Sequence, residues 1–153
     1  MHEIILRRAT PEDIFILRQF EQGVIEAERP FDSTLKPGLI HYYDLEKLMY
    51  SEDSILLVAT KNEELIGSGY ALIKPAQPYL AHDRYAYLGF MYVIPELRGQ
   101  GVITRIIDAL KLWCHDKGLA EIRLEVYDDN HPAIKAYQKS GFEKHLVEMR
   151  LKL

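Results

Sequence analysis

A glycine-bearing turn between a strand-like run and an amphipathic helix constrains this chain more than any other feature. The turn lies within residues 93–104, which read Val-Ile-Pro-Glu-Leu-Arg-Gly-Gln-Gly-Val-Ile-Thr. An aromatic run at 85–93 precedes it, and apolar residues at helical spacing follow it. Glycines let the backbone turn tightly, and the N–H groups of a helix's first turn attract anions. The segment therefore predicts a phosphate-binding turn between a strand and a helix.

Length and composition favour one globular domain. The 153 residues are 48% hydrophobic and 27% charged, which suffices for a sizeable core, so we expect a single domain over residues 1–153. The net charge of -4 argues against nucleic acid as a partner. No apolar run approaches the roughly 20 residues that cross a bilayer, so we expect no membrane partner.

The cysteine and histidine content excludes two further classes of site. Cys114 is the single cysteine, so no internal disulfide can form, and we interpret it as a core thiol of a cytoplasmic protein. The six histidines form no pair at metal-ligand spacing, so we expect no metal. Residues 1–8 lack the layout of a signal peptide, which agrees with a cytoplasmic location.

Local patterns predict the order of the elements. Thr10 and Pro11 indicate a helix start, Gly67 and Gly69 a bulge or a close backbone neighbour, and Gly141 a helix stop. The predicted strands are 4–7, 54–60, 65–74, 85–93, 121–127 and one or two closing strands within 142–152; the predicted helices begin near residues 10, 40, 102 and 132. The crossover from strand 85–93 through a helix to strand 121–127 should be a right-handed parallel unit.

Two familiar phosphate-binding motifs do not fit the turn. A Walker-type loop requires a lysine after its last glycine, and none follows Gly101. A dinucleotide fingerprint requires a third glycine where this chain has Thr104.

The run Arg98-Gly99-Gln100-Gly101-Val102-Ile103 instead resembles the pyrophosphate-binding turn of the GNAT-type N-acetyltransferases, Arg/Gln-x-x-Gly-x-Gly/Ala. The segment at 124–142 is similar to a second block of that family, Leu-Glu-Val … Asn-x-x-Ala-x-x-x-Tyr-x-x-x-Gly-Phe, in register at every named position. The element order fits as well, so the resemblance covers nearly the whole chain.

The resemblance implies an α/β (α+β) fold with a mixed, mostly antiparallel central sheet. Helices would cover both faces, and a parallel strand pair would splay at the cofactor site. The implied function is an N-acetyltransferase that transfers the acetyl group of acetyl-CoA to a primary amine, without a metal. The acceptor is expected to be the amine of a small molecule, which would attack the thioester directly through a tetrahedral intermediate. The alternatives are a protein N-terminal (alanine-type) or lysine acetyltransferase and a catalytically idle acyl-CoA-binding module.

The same resemblance implies the residues that bind the cofactor. Backbone groups of the strand end would pair with pantetheine, and N–H groups of the turn would hold the pyrophosphate. The implied set is Met91, Tyr92, Val93, Arg98, Gly99, Gln100, Gly101, Val102, Ile103, Thr104, Asn130, Ala133 and Tyr137. Ile103 departs from the family's glycine or alanine, so its side chain must point into the core. Asn130 is also predicted to cap the last helix.

Two residues carry the implied chemistry. Tyr137 occupies the family's position for the acid that protonates the leaving thiolate; the alternative is a core aromatic residue. Glu125 resembles the glutamate used as a base by N-terminal-alanine acetyltransferases. An ion pair with Arg123, on the same strand face by alternation, is its alternative.

The acceptor site is expected around the loop between the first two helices. Acidic and aromatic residues in this loop and near the expected cofactor site would suit a cationic amine. The candidates are Glu26, Glu28, Asp32 and Tyr85. A solvated charged loop is the alternative. The partners are thus a small-molecule amine or a peptide N-terminus, and relatives of the family suggest a homodimer.

Overall fold

The computed structural model describes residues 3–153 and has a five-stranded sheet between two layers of helices. Met1 and His2, the first residues of the segment without a signal-peptide layout, lie outside the described residues. The strands are β1 (Ile4–Arg8), β2 (Ser54–Lys61), β3 (Glu64–Pro75), β4 (Arg84–Val93) and β5 (Ile122–Arg123). The helices are α1 (Ile14–Glu28), α2 (Leu45–Tyr50), α3 (Val102–Asp116) and α4 (His131–Lys139).

The sheet is mixed and mostly antiparallel, as the sequence predicts. Its order is β1-β2-β3-β4-β5; the first four strands are antiparallel neighbours, and β5 is parallel to β4. One core lies between the sheet and α3, around Ile106 and Leu110, and the other lies under α1 and α2, around Leu17 and Leu45. β2 is buried on both faces, which is why it is an almost continuous apolar run.

A bulge in β4 changes the direction of that strand halfway along. Phe90 has a positive φ of 56°, and the register between β3 and β4 shifts at this level. The hydroxyl of the buried Ser68 donates to the Phe90 carbonyl at 2.9 Å, which satisfies a group that the bulge removes from the ladder. A Cβ on Gly67 would lie 2.8 Å from the Tyr92 carbonyl oxygen, so the predicted close backbone neighbour is confirmed there. A Cβ on Gly69 would instead meet side chains, with Ile106 Cγ2 at 2.7 Å.

The strand predicted at 121–127 is mostly unpaired. Only Ile122 and Arg123 form a ladder with β4, opposite Ala86 and Tyr87. Within the described residues, 124–127 pair with no strand, so a gap opens between them and the second half of β4. Alternation in the sequence reports which side chains share a face, but it does not report a hydrogen-bonded partner. The bulge at Phe90 supplies the physical reason for the divergence.

The closing strands predicted within 142–152 are wrong for a single copy of the chain. In the described structure, residues 142–153 belong to no helix or strand, and most of their side chains are exposed. Alternating apolar residues are present there, but the segment has no strand beside it.

Two helix starts differ from the predicted ones. The helix predicted from residue 40 begins at Leu45, because the Asp44 side chain caps it by accepting from the Lys47 N–H at 3.1 Å. After Thr10, a 3₁₀ turn at Pro11–Asp13 precedes α1, and the Asp13 carboxylate accepts the Thr10 N–H at 2.8 Å. Local hydrogen bonds of acidic side chains therefore move both boundaries.

The interpretation of Cys114 as a core thiol is confirmed. Its side chain is buried in α3, and burial raises the pKa of the thiol to about 11. Among the helices of residues 3–153, none combines the length and apolar character needed to span a membrane.

Candidate active site

The glycine turn presents a row of backbone donors. Gly99 and Gly101 adopt positive φ angles of 75° and 82°, and Gly101 is the N-cap of α3. A Cβ at either position would meet nothing within 4 Å, so the backbone conformation is what requires glycine. In the described structure, no N–H of residues 99–104 has an acceptor, and the Arg105 N–H makes the first helical bond to Gly101. These donors lie at the positive end of a fifteen-residue helix, a position that favours the binding of an anion.

Two side chains of the turn point away from this row. The Arg98 Nε donates to the Val93 carbonyl at 2.9 Å, and its guanidinium lies 5.5 Å from the ring of Tyr92. Arg98 thus ties the turn to the end of β4. Ile103 packs, partly buried, against the core under α3, which is the orientation its branched side chain requires.

The second half of β4 has an open edge. The Ile94 N–H donates to Ile66 at 2.9 Å, on the β3 side. Neighbouring residues of a strand direct their backbone groups to opposite edges, so those of Val93 and Met91 face the gap. Arg98 already binds the Val93 carbonyl, which leaves the Val93 N–H and the groups of Met91 for an added extended ligand. The Tyr92 ring packs on Phe20 instead, at 4.8 Å.

The last helix carries Tyr137, whose phenol lies within range of the Glu28 charge. The predicted cap is confirmed, since the Asn130 side chain accepts from the Ala133 N–H at 3.4 Å. Tyr137 lies one turn after Ala133, and its ring meets Phe142 edge-on at 6.0 Å. Burial raises the pKa of Tyr137, and the Glu28 carboxylate raises it further. The phenol is therefore protonated at neutral pH.

Glu28 lies where several elements of the site meet. Burial raises the pKa of its carboxyl, and the nearby Asp32 adds to that rise. Burial also raises the pKa of five surrounding tyrosines, and the Glu28 charge contributes to each: Tyr42, Tyr43, Tyr87, Tyr127 and Tyr137. The Tyr42 hydroxyl is buried without a hydrogen bond of ordinary geometry in the described structure, although Glu28 is close enough to affect its pKa. Glu28, Asp32 and these phenols form an acidic cluster at the end of α1, which we call the cleft.

Asp32 closes one side of this cleft but is already engaged. Its carboxylate accepts from Thr34, from the Tyr127 hydroxyl at 3.3 Å and from Arg150 at 3.2 Å. The pKa of Asp32 is lowered to about 2, mainly by the hydrogen bonds from Thr34. Tyr127 also stacks on Phe31 at 5.7 Å, so it joins the segment after β5 to the loop after α1. Asp32 organises the rim of the cleft.

Glu125 does not form the ion pair with Arg123 that alternation offers as an alternative. Arg123 instead binds Glu121 on the same strand face. Glu125 is exposed and lies beside Tyr87, whose pKa is raised by burial first and then by this carboxylate. It therefore stands at the cleft side of the opened strand pair.

Two of the four expected acceptor residues are not brought to the cleft. Glu26 is exposed and binds Arg29 at 3.1 Å along α1. The Tyr85 ring lies 4.2 Å from the Arg123 guanidinium, where β4 and β5 are still paired. Glu28 and Asp32 lie at the cleft, as described above.

Glu21 is a site residue that the sequence reading missed. It is fully buried in α1, and it accepts the backbone N–H groups of Tyr42 and Tyr43, both at 2.9 Å. His41 and Arg18 also contact its carboxylate, at 2.7 and 3.3 Å. Burial acts to raise the pKa of Glu21, but these hydrogen bonds outweigh it and the pKa is lowered. A glutamate on the apolar stripe of α1 was the available signal; nothing in the sequence pointed to Tyr127.

Solved structures share this fold along nearly their whole length. A mutant of the BH1408 protein from Bacillus halodurans has a TM-score of 0.85 and 22% identity, with 97% of this chain and 99% of that chain covered. The aminoglycoside N-acetyltransferase AAC(6')-Iy in complex with CoA has a TM-score of 0.78 and 20% identity, with 100% and 97% covered. A Clostridium acetobutylicum protein, described as a predicted acetyltransferase with acetyl-CoA, has a TM-score of 0.75 and 19% identity, with 98% and 96% covered.

A family model decides the assignment that the fold alone leaves open. The model described as acetyltransferase (GNAT) family matches residues 20–142, which is most of the chain. That range contains the glycine turn, the open edge of β4, Glu28 and Tyr137. The chain belongs to the acetyltransferase (GNAT) family.

Proposed function

We propose that this protein transfers the acetyl group of acetyl-CoA to the primary amine of a small cationic molecule. Family membership supports acetyl transfer, and two structures of the same fold contain CoA or acetyl-CoA. The observation that carries the proposal is the row of N–H groups without acceptors at residues 99–104, beside the open edge of β4. A pyrophosphate and an extended pantetheine arm have the chemistry that these two features accept.

The residues around the gap would place the thioester. The turn holds the pyrophosphate, and the backbone groups of Met91 hold the pantetheine amides, which directs the thioester towards Tyr137. An acetyl thioester supplies an electrophilic carbonyl carbon and a thiolate leaving group. The Val93 N–H, which faces the gap, is the candidate donor for the oxyanion that develops when an amine attacks.

Tyr137 then serves as the general acid. The departing thiolate requires a proton, and a buried phenol near a carboxylate keeps its proton at neutral pH. Family position and the raised pKa support the same role. A core aromatic residue would not need its hydroxyl, which makes the two roles separable by experiment.

The acidic cleft would select a cationic acceptor. An alkyl ammonium is charged at neutral pH, and the half-buried Glu28 attracts it more strongly than an exposed carboxylate would. The rings of Tyr42 and Tyr127 offer faces for cation–π contact. Glu125, beside Tyr87 and open to water, would take the proton that the amine must lose before it attacks.

Ile103 gave a reason to consider an idle acyl-CoA-binding module, and its packing weakens that reason. The side chain lies against the core, so it does not fill the pyrophosphate turn. The thiol-release assay described next distinguishes peptide and lysine acceptors from small amines.

The test measures thiol release with acetyl-CoA and a panel of polyamines, aminoglycosides, amino acids and short peptides. We expect turnover on dicationic small amines, and a rise in melting temperature of about 5–10 °C at acetyl-CoA near 100 times its Kd. Tyr137→Phe should keep that rise and lower kcat by about 100-fold or more. Tyr50→Phe, at an exposed tyrosine on α2, is the matched control and should change neither value.

Each arm has an outcome that contradicts one part of the proposal. No thermal shift at millimolar acetyl-CoA would exclude the donor. Unchanged turnover in Tyr137→Phe would remove it as the acid, turnover on peptides alone would replace the acceptor class, and binding without any turnover would favour the idle module.

A further inference from the structure

Helix α1 carries a glycine in its interior, at Gly23, which is the one interior glycine among the helices of residues 3–153. A glycine inside a helix destabilises it relative to alanine, and the close approach of a neighbour is one reason for such a residue. A Cβ on Gly23 would lie 2.7 Å from Cε2 of Tyr92, and 2.9 Å from both Cζ and the hydroxyl oxygen of that side chain. These separations are shorter than van der Waals contact. The Tyr92 ring therefore occupies the space that a side chain at position 23 would need.

The Tyr92 ring joins α1 to the two parts of the donor site. It packs on the Phe20 ring of α1, with 4.8 Å between the centroids. It also lies 5.5 Å from the Arg98 guanidinium, and the Arg98 Nε binds the Val93 carbonyl. A ring with these contacts has little room to yield to an added methyl group, so that group would displace β4 or Arg98.

The position of this ring bears on the open edge of β4. Tyr92 lies between Met91 and Val93, whose backbone groups face the gap, and the Ile94 N–H binds β3 at the opposite edge. Side-chain and backbone directions are linked along a strand. Contact of the Tyr92 ring with α1 therefore influences where the neighbouring backbone groups point.

We infer that Gly23 is a positioning residue for the acetyl donor. Because it lacks a Cβ, the Tyr92 ring can lie directly on α1, and this contact sets the orientation of the β4 edge and of Arg98 at the turn. The inference rests on the proposed donor site and adds that α1, which supplies no donor-binding group, sets the geometry of that site. Glu21, two residues earlier, binds the main chain of the loop after α1. One turn of α1 thus relates the donor site to the acceptor loop.

The test measures the Kd of the full-length protein for acetyl-CoA by calorimetry, and amide exchange without ligand. Gly23→Ala should raise that Kd by about tenfold or more, although alanine favours the helix. The Ile94 amide, which donates to the Ile66 carbonyl at 2.9 Å, should exchange about tenfold faster or more in this variant. Asp13→Asn, which breaks the buried ion pair with Arg7 at 2.7 Å before the start of α1, is the control. It should lower stability but leave the Kd and the Ile94 exchange rate unchanged.

A second variant approaches the same contact from the strand and leaves the helix intact. Tyr92→Leu removes the ring and should also raise the Kd for acetyl-CoA. The double variant Gly23→Ala with Tyr92→Leu should bind no more weakly than Tyr92→Leu alone, because the shorter side chain leaves room for the added methyl group.

Three outcomes would overturn the inference. A wild-type Kd in Gly23→Ala would show that the ring moves aside without affecting the donor edge. An equal loss of affinity in Asp13→Asn would show a general effect of stability, and independent losses in the double variant would show that Gly23 does not act through the ring. A wild-type protein that does not bind acetyl-CoA would contradict the donor site instead, and the Ile94 exchange rate would still decide whether Gly23 positions the edge.

Discussion

The paired half of the sheet and its open end differ in whether their backbone groups have partners. From β1 to β4, each strand has an antiparallel neighbour, and residues such as Val58, Ala59 and Ala71 are fully buried. From the bulge at Phe90 onwards, backbone groups of the β4 edge, of the turn and of residues 124–127 lack strand partners in the described structure. A saturated half supplies stability, whereas a half with unsatisfied groups can bind ligands. Substitutions in the two halves should therefore affect different measurements.

The largest effect should come from the paired half. Leu56 on β2 is 2% exposed in the core under α1 and α2, so Leu56→Ala leaves a cavity. We expect the free energy of unfolding to fall by about 2–5 kcal/mol, measured by urea denaturation. The Kd for acetyl-CoA of the folded fraction should not change. Leu112→Ala, at an exposed leucine, should stay within about 0.5 kcal/mol of the wild type. If Leu56→Ala weakened acetyl-CoA binding instead, the two halves would not be separable.

A smaller effect, on acceptor binding rather than on stability, should follow from Glu28→Gln at the open end. Removing the half-buried charge should raise KM for a cationic amine by about 10–100-fold, or roughly 1.4–2.8 kcal/mol, and leave acetyl-CoA binding intact. Glu26→Gln, two residues earlier and exposed, is the control and should have little effect. An equal loss in both variants would point to the overall charge of the loop.

The pH dependence sharpens the same prediction. An ordinary glutamate has a pKa of about 4.3. Burial raises the pKa of Glu28, so on acidification this carboxylate takes up its proton at a higher pH than an ordinary glutamate does. The ammonium keeps its charge throughout that range. Acceptor affinity should therefore be present at neutral pH and fall as the pH drops through the raised pKa, and Glu28→Gln should lack this decrease.

The smallest effect should distinguish two glycines at the two ends of α3. Gly101 and Gly118 have similar φ angles of 82° and 75°, and a Cβ at either would meet nothing within 4 Å. Each alanine variant should lose about 1–2 kcal/mol of stability from the left-handed conformation. Only Gly101→Ala should weaken acetyl-CoA binding, as measured by calorimetry, because only Gly101 belongs to the donor row. Equal binding by both variants would argue against the turn as the pyrophosphate site.

The paired half was also the half that the sequence predicted well. Apolar runs and the glycine turn placed β2, β3, β4 and α3 closely, because local patterns decide such elements. The open end was harder, because alternation at 121–127 and 142–152 cannot reveal whether a neighbouring strand exists. Tyr137 and Asn130 came from the family resemblance, and their cofactor and catalytic roles stay predictions. Glu21 and Tyr127 act through contacts between distant segments, which a single sequence does not encode locally.

Helix α1 holds the loop that follows it through main-chain contacts, which leaves the side chains of the loop free to change. Side chains of α1 grip the main chain of the loop: Glu21 binds the N–H groups of Tyr42 and Tyr43, and Gln22 donates to the Ile40 carbonyl at 2.9 Å. These contacts do not depend on which side chains the loop carries. One helix can therefore serve as a fixed template while the loop side chains vary, so that a new substrate preference can arise without a new fold.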